Sequence, residues 1–581
     1  MFHLKKGGLR AVAVAAAVAT LGSLGLAAPA MAADATPNGA ETNQGSITVK
    51  NVQGGATVTA YKVIDVNYKN LGTADNPSYV PTTPQYEWNA AVVQWVKDYD
   101  TENGVDYIGD NNAVTDQYAA LPSDTSGAPK ADGSYSSKIA KFYDKLSAAV
   151  GRGEVRLTSS KAVTVGGTAD ATTVTLDGLE VGGYLVKITN TSGNTEGVGT
   201  VADYSYRPVV VTIGFSQEGT GPWTIANAEI DSKRDKATID KSVNEDTSGH
   251  KTGEGEKNTG SDTVGIGSVV TYNVRSDVPV FPKDAIEKNY VIADTMDKAL
   301  TPNYTNSGSH KFKVYGVDSN GKETPLGEGA SNEYYTLTTT DAKDLDGKAA
   351  TWVLKFDYEK IRQYSKIHVE YTATVNEHAV VASPIKNSVK LQYTNNPYEQ
   401  DSHRTVPDEV KVYTFGIKVH KVFIENGVEK TDNLPEGAEF AVYKDGASTP
   451  LQFVKTADGE YRLAKAGETG TVTSLPVKDG YLKVTGLDDG KYQLEETKAP
   501  AGYVKLEGKQ DVTITPVKDD ASGEYTGAVS APTDEIGFVS TEVKNTKGML
   551  PQTGSVGMVL MTVAGVLLIA GGVTVLRRRR A

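Results

Sequence analysis

The chain has 581 residues, a formal net charge of −13 and no cysteine, and its aromatic residues are mainly tyrosine. The acidic balance argues against a nucleic-acid partner, because no basic stripe is available to neutralise phosphates. The sequence has no zinc-ligand spacing, no His-Glu-x-x-His motif, no nucleophile elbow and no phosphate-binding loop, so we expect no metal, no cofactor and no turnover enzyme.

The first 32 residues have the pattern of a secretory signal peptide. Basic residues precede an Ala/Val/Leu-rich run, and Ala30 and Ala32 provide small side chains at the cleavage positions. The roughly 510 residues between the two ends predict three or four domains. An exported protein is free to use disulfides. Since this one has no cysteine, either its domains are stable without crosslinks or another covalent crosslink replaces the disulfide.

The first domain, residues 33–222, is predicted to be a β-sandwich with a helical insertion. Residues 46–50 and 57–63 alternate at period two around Gly54 and Gly55, which is typical of a hairpin. The insertion carries two segments with apolar residues three and four apart, which indicates helices in residues 88–96 and 138–143. Strand-like segments resume after them at 162–165, 173–176, 183–188 and 208–213.

Two further strand-rich domains follow. Residues 223–236 are predicted to be a linker, residues 237–410 a second sandwich and residues 411–547 a third. Short alternating segments with regular turns and little helix favour immunoglobulin-like sandwiches. We therefore expect an all-β fold of three tandem sandwiches in an elongated rod.

The last segment, residues 548–581, has three parts in a fixed order. A five-residue motif at positions 550–554 comes first. It is followed by an apolar run of about 20 residues, which is long enough to cross a bilayer. Four arginines come last and should stay on the cytoplasmic side. Hydropathy alone leaves a simple tail anchor open. The residues of the motif are Leu550, Pro551, Gln552, Thr553 and Gly554.

This order resembles the cell-wall sorting signal of Gram-positive surface proteins. The resemblance implies that a sortase cysteine cleaves between Thr553 and Gly554, forms a thioester with the Thr553 carbonyl and transfers it to an amine. The protein would then be secreted and anchored to the cell wall, and the apolar run would be a processing signal.

A second motif lies in the third domain. Residues 492–503 read Tyr-Gln-Leu-Glu-Glu-Thr-Lys-Ala-Pro-Ala-Gly-Tyr. This pattern resembles the E-box of Gram-positive pilins in a collagen-adhesin B-type (CnaB) domain. In that family a glutamate projects inward between a lysine of the first strand and an asparagine of the last, and the matching residues here are Lys418, Glu496 and Asn545. Since period two does not choose the face of the strand, Lys421 is an alternative to Lys418.

The chemistry that the resemblance implies is physically reasonable. A lysine amine is a poor nucleophile while protonated, with a reference pKa of about 10.4. Burial lowers that pKa and raises the pKa of a carboxyl, so both groups become neutral. The amine can then attack the Asn545 carbonyl while protonated Glu496 polarises it, and ammonia leaves an isopeptide bond behind.

The second domain is similar to the A-type (CnaA) partner module. That resemblance implies a lysine of the first strand, an aspartate near the middle and an asparagine of the last strand, and Lys241, Asp294 and Asn387 match these places. A capping Asp294 or an exposed Asn387 is the alternative. The first domain has Lys50, but Glu180 lies outside an E-box pattern, so no isopeptide bond is predicted there.

The pilin resemblance also implies an acceptor lysine after the first domain, in a motif like WxxxVxVYPK. Trp223, Ala228, Ile230 and Lys233 match the tryptophan, the two valines and the lysine. The Tyr-Pro pair is Asp-Ser here and the spacing is one residue longer. Lys236 is therefore an alternative acceptor, and an ordinary exposed lysine in a charged segment is another interpretation.

Together these features resemble the backbone pilin of a sortase-assembled pilus. The resemblance implies a pilus-specific class C sortase, a housekeeping sortase, peptidoglycan and identical subunits as partners, with minor or tip pilins and a host surface further along the fibre. A monomeric wall-anchored adhesin that binds host matrix or glycans is the alternative function.

Overall fold

The computed structural model describes residues 39–121, 130, 134–167, 169–190, 203–244, 260–303, 312–327, 331–531 and 533–548. The predicted signal peptide and the sorting signal, including residues 550–554 and the apolar run, lie outside these ranges. Within the described ranges, no helix is long and apolar enough to cross a membrane.

The first sandwich holds most of the helical structure. Its helices are α1 (Val93–Asn103), α2 (Asp116–Ala119) and α3 (Lys138–Gly151), with a 3-10 turn at Asp110–Asn112. Its strands are β1 (Gln44–Val52), β2 (Ala56–Asn70), β3 (Tyr79–Trp88), β4 (Ser159–Thr164), β5 (Thr172–Glu180), β6 (Gly182–Asn190), β7 (Asp203–Tyr206), β8 (Val209–Gln217), β9 (Trp223–Ala226), β10 (Ala228–Asp231) and β11 (Arg234–Ala237).

The helices sit between β3 and β4 as an insertion. The side chain of Ser137 accepts a hydrogen bond from the Ala140 N–H and so caps α3. Apolar residues of α1 and α3, including Phe142, pack with Trp88 in a separate core beside the main sheet. The helical insertion is therefore confirmed, although its first helix begins at Val93 because residues up to Trp88 belong to β3.

The predicted hairpin of β1 and β2 is wrong. Strand β1 lies between β10 and β5 in one sheet, whereas β2 pairs with β3, β4 and β6 in the other. Apolar residues of both strands, such as Ile47 and Val58, share one core. Two alternating strands that face each other across a sandwich show the same period as two strands paired side by side, so the period did not distinguish them.

The predicted linker, residues 223–236, is also wrong. Strand β9 pairs with β8, β10 runs parallel to β1, and β11 pairs with β7. Ala228 and Ile230 are buried in the core of the first sandwich. The chain therefore completes the first sandwich here and reaches the second one through Thr238 alone.

In the second sandwich, an antiparallel sheet and a mixed sheet face each other across a large apolar core. One sheet has the order β12-β14-β21-β17-β18 with β16 on β21, and the other has the order β13-β23-β22-β15-β20-β19. The elements are β12 (Ile239–Asn244), β13 (Ser261–Thr263), β14 (Val269–Asp277), β15 (Tyr290–Met296), β16 (Leu300–Asn303), β17 (Lys313–Val317), β18 (Glu323–Pro325), β19 (Tyr335–Thr338), β20 (Trp352–Phe356), α4 (Tyr358–Ile361), β21 (Lys366–Val375), β22 (Ile385–Tyr393) and β23 (Arg404–Tyr413).

The third sandwich brings its first and last strands together. Strand β24 lies between β30, which is antiparallel to it, and β35, which is parallel to it. The facing sheet has the order β29-β26-β31-β32. The strands are β24 (Phe415–Glu425), β25 (Val428–Glu429), β26 (Glu439–Lys444), β27 (Phe453–Ala457), β28 (Glu460–Leu463), β29 (Leu475–Pro476), β30 (Tyr481–Leu487), β31 (Gly490–Lys498), β32 (Lys509–Ile514), β33 (Pro516–Lys518), β34 (Tyr525–Val529) and β35 (Phe538–Thr546). The predicted all-β fold of tandem sandwiches is confirmed.

Candidate functional site

The predicted residues of the second sandwich meet inside it. In β12 the buried side chains alternate, so Ile239, Lys241 and Val243 point into the core. Asp294 and Asn387 come from β15 and β22, which are neighbours in the facing sheet. Lys241 thus approaches the acid and the amide from the opposite sheet. These three residues and Tyr371 of β21 are called the second-sandwich cluster.

Tyr371 connects the members of this cluster. Lys241 Nζ forms an ion pair with Asp294 Oδ2 and donates a hydrogen bond of 2.7 Å to the Tyr371 hydroxyl. The Tyr371 hydroxyl donates to Asp294 Oδ2 at 2.6 Å, and Asn387 Nδ2 donates to the same hydroxyl at 3.0 Å. One phenol therefore contacts the amine, the acid and the amide.

Burial favours the neutral forms of the lysine and the acid. The Lys241 and Asp294 side chains have no exposed surface. Desolvation lowers the pKa of Lys241 and raises the pKa of Asp294 against their mutual attraction. Asp294 Oδ1 and Asn387 Oδ1 have no hydrogen-bond partner among the described residues. A proton on Asp294 would supply a donor to a region that otherwise holds two unsatisfied acceptors.

In the third sandwich the structure corrects the choice of lysine. The buried residues of β24 include Phe415, Ile417, Val419 and Lys421, whereas Lys418 is on the other face. Lys418 Nζ forms an ion pair of 2.6 Å with the carboxylate of Asp534. The preference for Lys418 is therefore wrong, because the apolar alternation turns its side chain away from Glu496.

Lys421, Glu496 and Asn545 form the third-sandwich cluster. Lys421 Nζ lies 3.4 Å from Glu496 Oε1 and donates a hydrogen bond of 3.1 Å to the Val543 carbonyl. Asn545 Nδ2 donates to Glu496 Oε2 at 2.9 Å. Here the acid itself reaches both the lysine and the amide nitrogen.

The strands explain this arrangement. Lys421 and Asn545 come from β24 and β35, the parallel neighbours, while Glu496 enters from β31 of the facing sheet. The Leu506 N–H donates to Glu496 Oε2 at 2.6 Å, and Asn545 Nδ2 also donates to the Val504 carbonyl at 2.7 Å. The backbone after the E-box thus holds the acid and the amide in place.

Burial also prepares the third-sandwich cluster for reaction. It lowers the pKa of Lys421 to about 8, with the attraction of Glu496 opposing the shift. Glu496 Oε1 and Asn545 Oδ1 accept no hydrogen bond from the described residues. The equivalent oxygens of the second sandwich, Asp294 Oδ1 and Asn387 Oδ1, accept none either. Both clusters therefore leave the amide carbonyl oxygen of the asparagine without a hydrogen-bond donor among the described residues.

The first sandwich places its predicted candidates apart. Lys50 is on the surface and pairs with Glu229. Glu180 forms an ion pair of 3.3 Å with Lys62. The absence of an isopeptide bond from this sandwich stays a prediction.

The two candidate acceptor lysines lie where the first sandwich ends. Lys233 is half-buried between β10 and β11, and its carbonyl accepts a hydrogen bond of 2.9 Å from the Arg207 N–H. Lys236 is exposed on β11 opposite Tyr204 of β7. The choice between them stays a prediction.

Tyr371 is the contact residue that sequence reasoning missed. It is one of 30 tyrosines, and it lies in β21, one of the many alternating strands of the second sandwich. The one available signal is its parity, because Ile367, Val369 and Tyr371 share the buried face of β21.

Family models match three parts of the chain. Residues 266–397 match the Gram-positive pilin backbone subunit 2, Cna-B-like domain, residues 423–527 match a prealbumin-like fold domain, and residues 542–581 match the LPXTG cell wall anchor motif. The second sandwich thus matches a description that is Cna-B-like, whereas the A type was predicted for it.

Curated relatives and a solved structure agree with these matches. The chain is 24% identical over 476 residues to the trypsin-resistant surface T6 protein of Streptococcus pyogenes serotype M6, covering 69% of this chain and 80% of the relative. It is 26% identical over 440 residues to the fimbrial subunit type 2 of Actinomyces naeslundii, covering 70% and 71%. The solved T6 backbone pilin of serotype M6 Streptococcus pyogenes, described as a modular three-domain structure, has a similar fold, with a TM-score of 0.52, 17% identity and coverage of 88% and 100%.

The LPXTG anchor motif and the fimbrial relatives confirm the predicted location, which is the cell wall and its surface pili. Together with the pilin backbone and prealbumin-like domains, they confirm that this chain resembles the backbone pilins of Gram-positive bacteria.

Proposed function

We propose that this protein is the structural backbone subunit of a covalent, cell-wall-anchored pilus that supports adhesion, and that each subunit carries two self-formed Lys–Asn isopeptide bonds. The observation that carries the proposal is the burial of a lysine, an acid and an asparagine together in two successive sandwiches. In a cysteine-free surface protein, these clusters offer the covalent crosslinks that disulfides would otherwise supply.

The proposed bonds join Lys241 to Asn387 and Lys421 to Asn545. In each cluster the neutral amine attacks the side-chain carbonyl carbon of the asparagine, and Asp294 or Glu496 in its protonated form donates to the carbonyl oxygen. A new C–N bond forms, the old C–N bond breaks, and the amide nitrogen leaves as ammonia after it takes up one proton from the amine. The reaction occurs once in each cluster, so the acids promote a single event and the protein is not a turnover enzyme.

Polymerisation needs an activated end and an acceptor. We propose that a pilus-specific sortase of class C activates Thr553 of one subunit and joins it to Lys233 of the next. The position of Lys233 directly after β10 supports this choice, since β10 completes the first sandwich against β1. Lys236, which is more exposed, is the alternative acceptor.

The anchor motif and the resemblance to pilins support the remaining proposed partners. A housekeeping sortase would join the base of the fibre to peptidoglycan, and minor or tip subunits and a host surface would meet its distal end. Two relatives are described as fimbrial subunits, which supports assembly into a fibre, and we propose that identical subunits form it.

Polymerisation is tested in cells that carry the sortases. Replacing Lys233 with Ala should abolish the high-mass, SDS-resistant ladder in cell-wall extracts, and the matched Lys236→Ala variant should keep it. A ladder that persists in Lys233→Ala and disappears in Lys236→Ala would move the acceptor to Lys236. A wild-type chain that gives no ladder would favour a monomeric wall-anchored adhesin.

The isopeptide bonds are tested by the intact mass of the wild-type chain made in cells that lack the sortases, where no bond to another subunit or to peptidoglycan changes the mass. Each bond lowers the mass by about 17 Da relative to the sequence, because one ammonia is lost. A deficit of two ammonias is expected. No deficit would overturn the self-crosslinking part of the proposal.

A further inference from the structure

The two clusters connect their acid to the leaving nitrogen in different ways. In the third-sandwich cluster, Glu496 Oε2 accepts a hydrogen bond of 2.9 Å directly from Asn545 Nδ2. In the second-sandwich cluster, Asn387 Nδ2 donates to the Tyr371 hydroxyl at 3.0 Å. Aspartate is one methylene shorter than glutamate, and here a phenol contacts both the acid and the amide nitrogen.

Tyr371 is held for this contact by the ring packing around it. Its ring stacks on Tyr272 with centroids 5.3 Å apart and on Phe312 at 5.7 Å, and it meets Trp352 edge-on at 5.2 Å. The residue is fully buried. The aromatic packing of the ring therefore helps to hold the hydroxyl within the cluster.

We propose that Tyr371 is a catalytic residue for crosslinking in the second sandwich, where its hydroxyl carries a proton from Lys241 Nζ to the departing nitrogen of Asn387. This inference rests on the proposed Lys241–Asn387 bond. Its support is geometric, since the hydroxyl is within hydrogen-bond distance of both nitrogens and of the acid.

The proton balance of the step closes without another reactant. When neutral Lys241 attacks the Asn387 carbonyl carbon, Nζ carries one proton too many. Tyr371 accepts this proton on its oxygen and gives its own hydroxyl proton to Nδ2, which can accept it because the amide conjugation is lost in the tetrahedral intermediate. The C–Nδ2 bond then breaks, ammonia leaves with the bonding electrons, and the carbonyl forms again.

The environment of the phenol suits a relay of this kind. Burial and the neighbouring Asp294 raise the pKa of Tyr371 well above its ordinary value. The phenol therefore keeps its proton before the reaction and returns to the same state after it. Tyr371 is regenerated, while Lys241 and Asn387 are consumed.

The test follows both bonds in one sample. The full-length chain is made by cell-free synthesis in detergent and quenched at intervals, and mass spectrometry quantifies the Lys241–Asn387 and Lys421–Asn545 crosslinked peptides. Tyr371→Phe keeps the ring and removes the hydroxyl, so formation of the first peptide should slow by about 100-fold, at the low end of general acid–base effects. The Lys421–Asn545 peptide should form at the wild-type rate.

The control is Tyr290→Phe. Tyr290 is equally buried in the same sandwich, and its hydroxyl is bonded to the Ser276 carbonyl at 3.4 Å, away from the cluster. This variant should form both peptides at the wild-type rate. If Tyr371→Phe also forms the Lys241–Asn387 peptide at that rate, the role of Tyr371 is overturned, and the proposed function stands.

A second variant separates proton transfer from structure. A 3-fluorotyrosine at position 371 keeps the ring and the hydroxyl but makes the phenol more acidic, so a relay should change its rate several-fold, whereas a purely structural hydroxyl should not. If Tyr371→Phe fails to fold, this variant decides alone, and an unchanged rate overturns the proposal. If the wild-type chain forms neither peptide, the self-crosslinking function itself fails.

Discussion

The second and third sandwiches assemble similar side chains on different strands. In the third, the lysine and the asparagine are on neighbouring parallel strands, and the acid enters from the facing sheet. In the second, the acid and the asparagine are on neighbouring strands, and the lysine enters from the facing sheet. A bond in the third sandwich would therefore tie two strands of one sheet, whereas a bond in the second would tie two sheets together.

This difference shows what the two clusters need in common. Neither the strand pairing nor the choice of acid is shared. Both clusters do bury the amine completely, place a carboxyl beside it and leave the carbonyl oxygen of the asparagine without a donor among the described residues. Desolvation, which favours neutral reactants, is common to both clusters, and they differ in the group that contacts the amide nitrogen, which is the acid in the third sandwich and a phenol in the second.

The largest expected effect separates the two lysines of β24. Lys421→Met should remove the crosslink of the third sandwich, leaving a deficit of one ammonia in the intact mass. By analogy with a disulfide that closes a loop on the order of 100 residues, the free energy of unfolding should fall by about 4–5 kcal/mol. The matched Lys418→Met variant should keep both bonds, and loss of the bond in that variant would contradict the assignment of Lys421.

A smaller effect is expected from shortening the acid of the third sandwich. Glu496→Asp should slow formation of the Lys421–Asn545 bond by about 100-fold, because the shorter carboxyl loses its reach to Asn545 Nδ2 and this cluster has no phenol to span the gap. The Lys241–Asn387 bond in the same chain, whose acid is already an aspartate, is the internal control. Crosslinked peptides in a time course measure both rates. Bond formation at the wild-type rate would show that direct contact between acid and amide is not needed.

The smallest effect is a pH dependence in the third sandwich. The reactive amine must be neutral, and burial places the pKa of Lys421 at about 8. Below that pH the amine is mostly protonated, so the initial rate of Lys421–Asn545 formation should rise about fivefold from pH 7 to pH 8 and level off above pH 9. A rate that falls with rising pH would contradict the requirement for a neutral amine. The Lys241–Asn387 peptide from the same digests shows whether the second sandwich responds in the same way.

Much of this architecture could be predicted from the sequence. Period-two alternation located many of the strands in all three sandwiches, although it did not locate the strands at residues 223–236. The E-box identified Glu496 because its fixed residues stand close together along the chain. A place in the first, middle or last strand of a sandwich predicted four further residues, Asn545, Lys241, Asp294 and Asn387. The structure brings each set together.

The wrong predictions concerned which face of a strand a side chain occupies and which strands pair with each other. The odd-numbered residues Phe415, Ile417 and Val419 are apolar, and continuing that parity would have selected Lys421 over Lys418. The pairing of residues 228–231 with β1 joins segments about 180 positions apart, which no local pattern reports. The contacts of Tyr371 with Asp294 and Asn387 could not be predicted because they join two sheets.

The pairing of β10 with β1 has a mechanical consequence. If Thr553 of one subunit is joined to Lys233 of the next, as proposed, tension along the fibre enters each subunit at Lys233 and leaves at Thr553. The described residues before Lys233, which form nearly all of the first sandwich, would then lie beside this path. Both lysine clusters would be in the loaded part, so each proposed crosslink would lie where the tension passes.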